Sequence, residues 1–194
     1  MTDPKETLVE YLQSARDAMV WKVEGLSEYD ARRPLTPTGT NLLGLVKHLA
    51  SVELGYFGDT FGRPSGIDLP WHSDDADPND DLYLTADETR DWVLDLYRAA
   101  WAHAATTFEE CDLDTVGRVP WWGDRGEVTL HQILVHMVSE TNRHAGHADI
   151  LREGIDGAAG RKPGDLNMDE SYDWPAHVAR VEEAARSAAH LAAE

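Results

Sequence analysis

The segment running His131-Gln-Ile-Leu-Val-His136-Met-Val-Ser-Glu140-Thr-Asn-Arg-His144-Ala-Gly-His147 carries the side chains best suited to hold a metal ion. His136, Glu140 and His144 step by four and His147 follows by three, so on a helix they share one side. With His136 set at zero and about 100° per residue, His147 falls at about 20°, Glu140 at about 40° and His144 at about 80°. Ile133 and Leu151 fall at about 60° and Met137 at about 100°. Glu140 and His144 therefore sit inside the core-facing stripe, with His136 and His147 at its edge. A carboxylate that faces a core without compensation costs several kcal/mol. Two arrangements remove that cost. Either Glu140 and His144, whose i,i+4 spacing converges on one point, share a divalent cation, or Glu140 joins an ion-pair network with Arg143 or Arg152.

Two ligands rarely hold a cation, so a third is sought on a facing helix, and the stretch Asn41 to Tyr56 offers His48. With His48 at zero, Val52 falls at about 40°, Leu45 at about 60°, Tyr56 at about 80° and Leu49 at about 100°. Lys47 and Ser51 are expected to point away. His48 on the border of this stripe reads either as a hydrogen-bonded core histidine or as the third ligand. Two histidines and one carboxylate suit zinc, nickel or non-haem iron, with positions left open for water or substrate. Other reactive patterns fail. There is no H-E-x-x-H, no Glu three residues before a His as a di-iron bundle requires, no phosphate-binding loop and no G-x-S-x-G. Cys111 lies among acids in Glu109-Glu110-Cys111-Asp112, which makes it a poor nucleophile. His72, His103, His131, His177 and His190 read as surface residues.

Helices must position these groups, and the start signals for them are local. Asp3-Pro4-Lys5-Glu6 supplies a capping carboxylate and a proline at the first helical position. Leu8, Tyr11, Leu12, Ala15, Met19 and Val23 then recur at helical spacing until Gly25. A second helix is expected from about Asn41 to about Phe61. Thr85-Ala86-Asp87-Glu88 reads as a capping box for a third that continues to about Glu110. Thr129 to Gln132 reads as another, opening a fourth helix that reaches Glu153. A last, alanine-rich helix should follow Pro175. Trp21, Trp92 and Trp101 fall at helical spacing and read as wholly or partly core. Strand signals are weak, with only Arg118–Trp122 as a short extended piece. Trp121 and Trp122, just before the fourth helix, either plug the end of the core or wall a pocket beside the metal.

Composition sets outer limits. The 194 residues carry 17 Lys and Arg against 36 Asp and Glu, a net charge of −19, which repels phosphate backbones and argues against binding nucleic acid through a basic patch. One cysteine excludes a disulfide framework and a Cys-rich zinc site. No apolar run reaches the roughly 18–20 residues of a membrane span, and the acidic N-terminus is unlike a signal peptide, so a soluble cytoplasmic protein is expected. Residues 62–84 form a Gly, Pro and Asp-rich connection in which Asp68, Asp74, Asp75, Asp77, Asp80 and Asp81 meet no basic residue between Arg63 and Arg90. It reads as a solvated surface loop, since it lacks the glycine and terminal glutamate of a calcium-binding loop. An all-α bundle with one long crossover fits these elements. A single domain is expected over 1–194, with its core at about 5–157 and a C-terminal loop and helix at 158–194.

Two stretches, GTNLLGLVKHLASVELGYFG and VPWWGDRGEVTLHQILVHMVSETNRHAGHADILREGIDG, resemble the DinB-like superfamily of metalloproteins. They look closest to its actinobacterial branch of mycothiol-dependent enzymes, which includes maleylpyruvate isomerase. The resemblance implies a four-helix bundle in up-down-down-up order with the long crossover between the second and third helices. It also implies a divalent metal, commonly zinc or nickel, on one residue of the second helix and an i,i+4 pair in the fourth. Carried over by position, those ligands are His48, Glu140 and His144. Many members have histidine at both places of the pair, whereas the mycothiol branch has glutamate at the first. The C-terminal extension of maleylpyruvate isomerase is not evident in this chain.

The resulting expectation is a divalent-metal-dependent thiol S-transferase or isomerase, with mycothiol as co-substrate and a small electrophile as its partner. The thiolate would be activated on the metal, and His147 or His136 would shuttle protons. A homodimer is expected from the resemblance. Two other readings stand beside it. One is a non-catalytic stress or binding protein whose structural metal is closed by a fourth ligand, His147 or His136. The other is a metal-dependent small-molecule hydrolase.

Overall fold

The computed structural model describes residues 3–73, 75–165, 168–169 and 171–192; Asp74 of the acidic connection lies outside them. Helix α1 (Pro4–Trp21) starts as its sequence dictates, with the Asp3 carboxylate accepting from the backbone N–H groups of Lys5 and Glu6 and Pro4 in the first turn. Its C-terminal carbonyls are closed by Arg152, whose Nη1 donates to the backbone oxygens of Trp21, Lys22 and Glu24. A short helix the sequence reading did not anticipate, α2 (Glu28–Arg32), follows on a Ser27 cap. Helix α3 (Leu42–Phe57) is capped by Asn41, helix α4 (Arg90–Glu110) by Thr89 and helix α5 (Leu130–Asp156) by Thr129. The last helix, α6 (Trp174–Leu191), opens on Asp173 and buries none of its described residues.

Helices α1, α3, α4 and α5 pack into one bundle whose two core clusters fix their directions. One cluster joins Leu12 of α1, Tyr56 and Phe57 of α3, Phe108 of α4 and Ile133 of α5. The other joins Met19, Leu42, Val93 and Ala148. The early part of α1 and of α5 thus meets the late part of α3 and of α4, and the converse holds at the other end. This is up-down-down-up order with the long crossover between α3 and α4, as expected. Mid-bundle, Arg16 of α1 donates from Nε and Nη2 to the two carboxylate oxygens of Glu53 on α3, at 3.0 and 2.6 Å. Both side chains are shut off from solvent.

Several element boundaries differ from expectation for identifiable reasons. Helix α3 stops at Phe57 rather than Phe61. A Cβ at Gly58 would lie 2.3 Å from the Leu54 carbonyl oxygen, and the chain turns there into a 3-10 turn, Asp59–Phe61, closed by Gly62 in the left-handed region. The Thr85–Glu88 box forms only in half. Glu88 accepts the Thr85 N–H at 2.8 Å, but its carboxylate also pairs with Lys47, and α4 begins beyond it at Arg90. The extended piece near 118–122 is displaced. Strand β1 (Val116–Arg118) pairs antiparallel with β2 (Glu127–Thr129), while Pro120–Arg125 is a 3-10 turn. Trp92 is half-exposed and packs edge-on to Trp71 instead of entering the core.

The crossover is the largest correction. Lys47 and Ser51, expected to face solvent, are buried, because the connection folds back across that side of α3. Trp71 donates its indole N–H to Ser51 Oγ at 2.9 Å and lays its ring 4.0 Å from Lys47 Nζ. The crossover therefore covers that side of α3 through Trp71 and the Asp80–Leu82 turn, while Asp68, Asp75 and Asp77 stay exposed as a surface loop would have them.

Candidate metal centre

His48 comes from the first half of α3, and Glu140 and His144 from the middle of the antiparallel α5. One donor atom from each lies within 4.8 Å of the other two. Glu140 Oε1 is 3.0 Å from His144 Nε2 and 3.5 Å from His48 Nε2, and the two imidazole rings meet edge to face at 5.0 Å. All three side chains are partly buried. The helical phase that puts them at the margin of the core stripe makes them face each other yet keeps one side open.

The far side of His48 is fixed by a residue from the crossover. Asp81 Oδ2 lies 2.7 Å from His48 Nδ1. A carboxylate can only accept, so Nδ1 carries the proton and Nε2 of the neutral ring is left as a lone pair aimed at the cluster. Such a carboxylate behind a histidine is the usual means of orienting a metal-ligating imidazole. In the sequence Asp81 is one of a run of loop aspartates, and no local signal distinguishes it from its acidic neighbours.

The electrostatics of the cluster are those of a convergent donor set. Burial, the largest influence on His48, pulls its pKa down, but the hydrogen bonds and charges of Asp81 and Glu140 outweigh it and leave the group above its ordinary value. Glu140 is raised by burial but lowered overall, chiefly by the charge and hydrogen bond of His144 and then by His48. His144 is lowered by burial and by the charge of His48, against the pull of Glu140. Its Nδ1 is buried with no protein partner.

The arginine network considered for Glu140 does not form. Arg143 is exposed, and Arg152 is spent on Asp156 and on the α1 carbonyls. Among the described residues Glu140 faces two imidazoles and no Lys or Arg. A carboxylate and two imidazoles pointing inward, one of them with its tautomer set from behind, fit the ligand set of a divalent cation. The buried glutamate that does have an arginine is Glu53.

His136 and His147 stay outside the cluster. His136 lies between Tyr56 and Trp122, at 4.7 and 5.2 Å between ring centroids. His147 is exposed and packs edge-on to His144 at 5.4 Å. Of the remaining histidines, His103 is bonded to the Arg63 carbonyl at 2.7 Å rather than free at the surface; His72, His131 and His190 are exposed, and His177 is partly buried against Tyr172 and Trp174. Trp122 packs against the lower core. Trp121 is 53% exposed, stacks edge-on to Tyr56 at 5.1 Å, and sits where a Cβ on Gly55 would meet it at 2.8 Å. A cleft of about 830 Å³ opens beside the cluster, lined among others by Thr38, Thr40, Asn79, Tyr83, His144 and His147. Among the described residues no helix is long and apolar enough to cross a membrane.

Comparison with known proteins bears on this site. Residues 7–157 match the model of the mycothiol-S-transferase family. A solved structure, described as the crystal structure of the conserved protein of a locus from Enterococcus faecalis, superposes with a TM-score of 0.58 at 17% identity. The match covers 81% of this chain and all of that one, and at that identity the likeness concerns the fold alone. No curated protein matches the chain.

Proposed function

The chain belongs to the mycothiol-S-transferase family, and from that premise we propose that it is a divalent-metal-dependent transferase of low-molecular-weight thiols, with mycothiol the thiol used. His48, Glu140 and His144 are the ligands in this reading, and zinc or nickel the metal. The observation that carries it is the convergence of those three donors within 4.8 Å, with Asp81 holding His48 from behind. When bound, the cation supplies a Lewis acid that favours the thiolate over the thiol.

The residues around it account for binding and proton movement. The cleft beside His144 offers the hydroxyls of Thr38, Thr40 and Tyr83 and the amide of Asn79, donors and acceptors suited to the polar body of a thiol cofactor. His147, on the rim of the same cleft, takes the proton that leaves sulfur. The sulfur then forms a bond to an electrophilic carbon of the second substrate, whose leaving group departs with the bonding pair. Cys111 plays no part. It packs with Phe108, Val128 and Leu12 at the opposite end of the bundle.

Metal analysis of the purified protein, followed by calorimetric titration of the zinc-loaded and EDTA-treated forms with mycothiol, bacillithiol and glutathione, tests the reading. It requires about one divalent ion per chain and mycothiol binding only in the loaded form. No bound metal after zinc loading, or equal binding of mycothiol with and without metal, overturns it. Hydrolysis of small esters or amides by the loaded form without thiol would replace it with the hydrolase reading.

A further inference from the structure

Lys47 precedes His48 on α3 and points into the contact with the crossover, where it is 2% exposed. Its ammonium donates to the carbonyl oxygen of Asp80 at 2.9 Å and to that of Tyr83 at 3.1 Å, and pairs with both carboxylate oxygens of Glu88 at 2.9 and 3.0 Å. Asp80 and Tyr83 bracket the short 3-10 turn Asp80–Leu82, which contains Asp81. The same turn is caught at a third point. Asn41 Nδ2 donates to the Leu82 carbonyl oxygen at 3.0 Å, and that oxygen lies where a Cβ on Gly44 would be, at 1.9 Å. Asn41, Gly44, Lys47 and His48 form one continuous patch of α3, spaced by three, three and one. Each touches the turn, and the last of them does so through the Asp81 carboxylate.

From this geometry we propose that Lys47 and Gly44 are positioning residues of the metal centre: they dock the crossover turn on α3 so that Asp81 meets His48 Nδ1 and holds Nε2 toward Glu140 and His144. The inference rests on the metal reading above, and it gives the buried lysine a role that bundle packing alone does not. An ammonium that binds two carbonyls and a carboxylate is fully satisfied, so it serves as a fixed strut, and it loses little from being out of water. Gly44 acts from the other direction, because only the absence of a side chain lets the turn's backbone come that close. The centre is thereby assembled from three pieces of chain, α3, α5 and the turn, although its donors come from two.

The test reads His48 itself as well as metal affinity. In metal-free wild-type protein at a pH where His48 is neutral, long-range 1H–15N correlation of the imidazole is expected to report one tautomer, protonated at Nδ1. In Lys47→Met the two tautomers are expected to mix, as in Asp81→Ala, while α-helical circular dichroism is retained. Zinc affinity, measured by chelator competition, should fall about tenfold or more in either variant, the range found for groups that orient ligands. Lys47→Met/Asp81→Ala should bind zinc no more weakly than Asp81→Ala, because Lys47 acts through Asp81. A single Nδ1-protonated tautomer persisting in Lys47→Met, or a double variant whose losses multiply, overturns the proposal. If Lys47→Met does not fold, Gly44→Ala decides, since it moves the turn without removing a charge: mixed tautomers are expected, and an unchanged His48 contradicts. Absence of zinc binding by wild type, with the tautomer effects intact, would strike the metal reading while leaving the Lys47–Asp81–His48 linkage standing.

Discussion

Asp81 and His48 stand 33 residues apart in the chain and 2.7 Å apart in the fold, carboxylate oxygen to imidazole Nδ1. That one contact ties the crossover to the helix that carries His48 and settles which ring nitrogen faces Glu140.

It also gives the metal-free protein a defined pH response. The His48 pKa lies above the ordinary 6.5, because Asp81 and Glu140 outweigh the effect of burial. The folded state therefore binds this proton more tightly than the unfolded state. The resulting stabilisation is fully present below 6.5 and is lost as pH rises through the folded value. His48→Ala is expected to lower the urea midpoint of EDTA-treated protein more at about pH 6 than at about pH 8.5. With saturating zinc the order reverses, because a ligating imidazole must be unprotonated.

The ion pair of Arg16 and Glu53 should dominate the stability of the middle of the bundle. Glu53→Ala leaves a guanidinium buried at 2% exposure without its partner, and removing one member of a buried pair costs about 3–5 kcal/mol. Arg16→Met/Glu53→Leu should recover most of that loss. Equilibrium urea unfolding of the three proteins measures both effects.

Helix α5 carries two of the three donors, and its first turn rests on Thr129, whose hydroxyl accepts the Gln132 N–H at 3.3 Å. Thr129→Ala should cost about 1 kcal/mol. Glu140 and His144 lie about three to four turns further on, so zinc affinity should stay within about twofold of wild type. The combination of a lower melting temperature with unchanged zinc competition checks this.

What could be read in the sequence divides along the range of the interactions. Asp3 and Thr129 cap their helices because the cap and the N–H it accepts are two or three residues apart. Glu140 and His144 share a face because four residues make about one turn. Such relations need no knowledge of the rest of the chain. His48 depends on which helix faces which: the helical phase offers it as a core histidine or a third ligand, and the family resemblance selects the ligand. Asp81 was illegible, since its value to the site depends on a long connection folding back, and every neighbouring aspartate looks the same in composition. The burial of Lys47 and Ser51 is illegible for the same reason. The helical wheel put them on the side away from the bundle, and that side is buried only because Trp71, Asp80 and Glu88 come to lie on it. Glu88 shows the two ranges in competition: it makes the local bond to Thr85 that a capping box predicts, yet its pairing with Lys47 keeps the chain a turn and delays α4 to Arg90.

Substitution of cobalt(II) for zinc offers the most direct view of the proposed chemistry, because sulfur ligation to cobalt produces a near-ultraviolet charge-transfer band. Titrating cobalt-loaded protein with mycothiol should raise that band to saturation at one thiol per chain. Cys111→Ser should leave it unchanged, since the single cysteine of the chain lies with Phe108 and Val128 at the far end of the bundle. Glu140→Ala and His144→Ala should abolish it. A band that never develops in the cobalt-loaded wild-type protein, or one that survives loss of both Glu140 and His144, would contradict the assignment of this cluster as the site where the thiol is held.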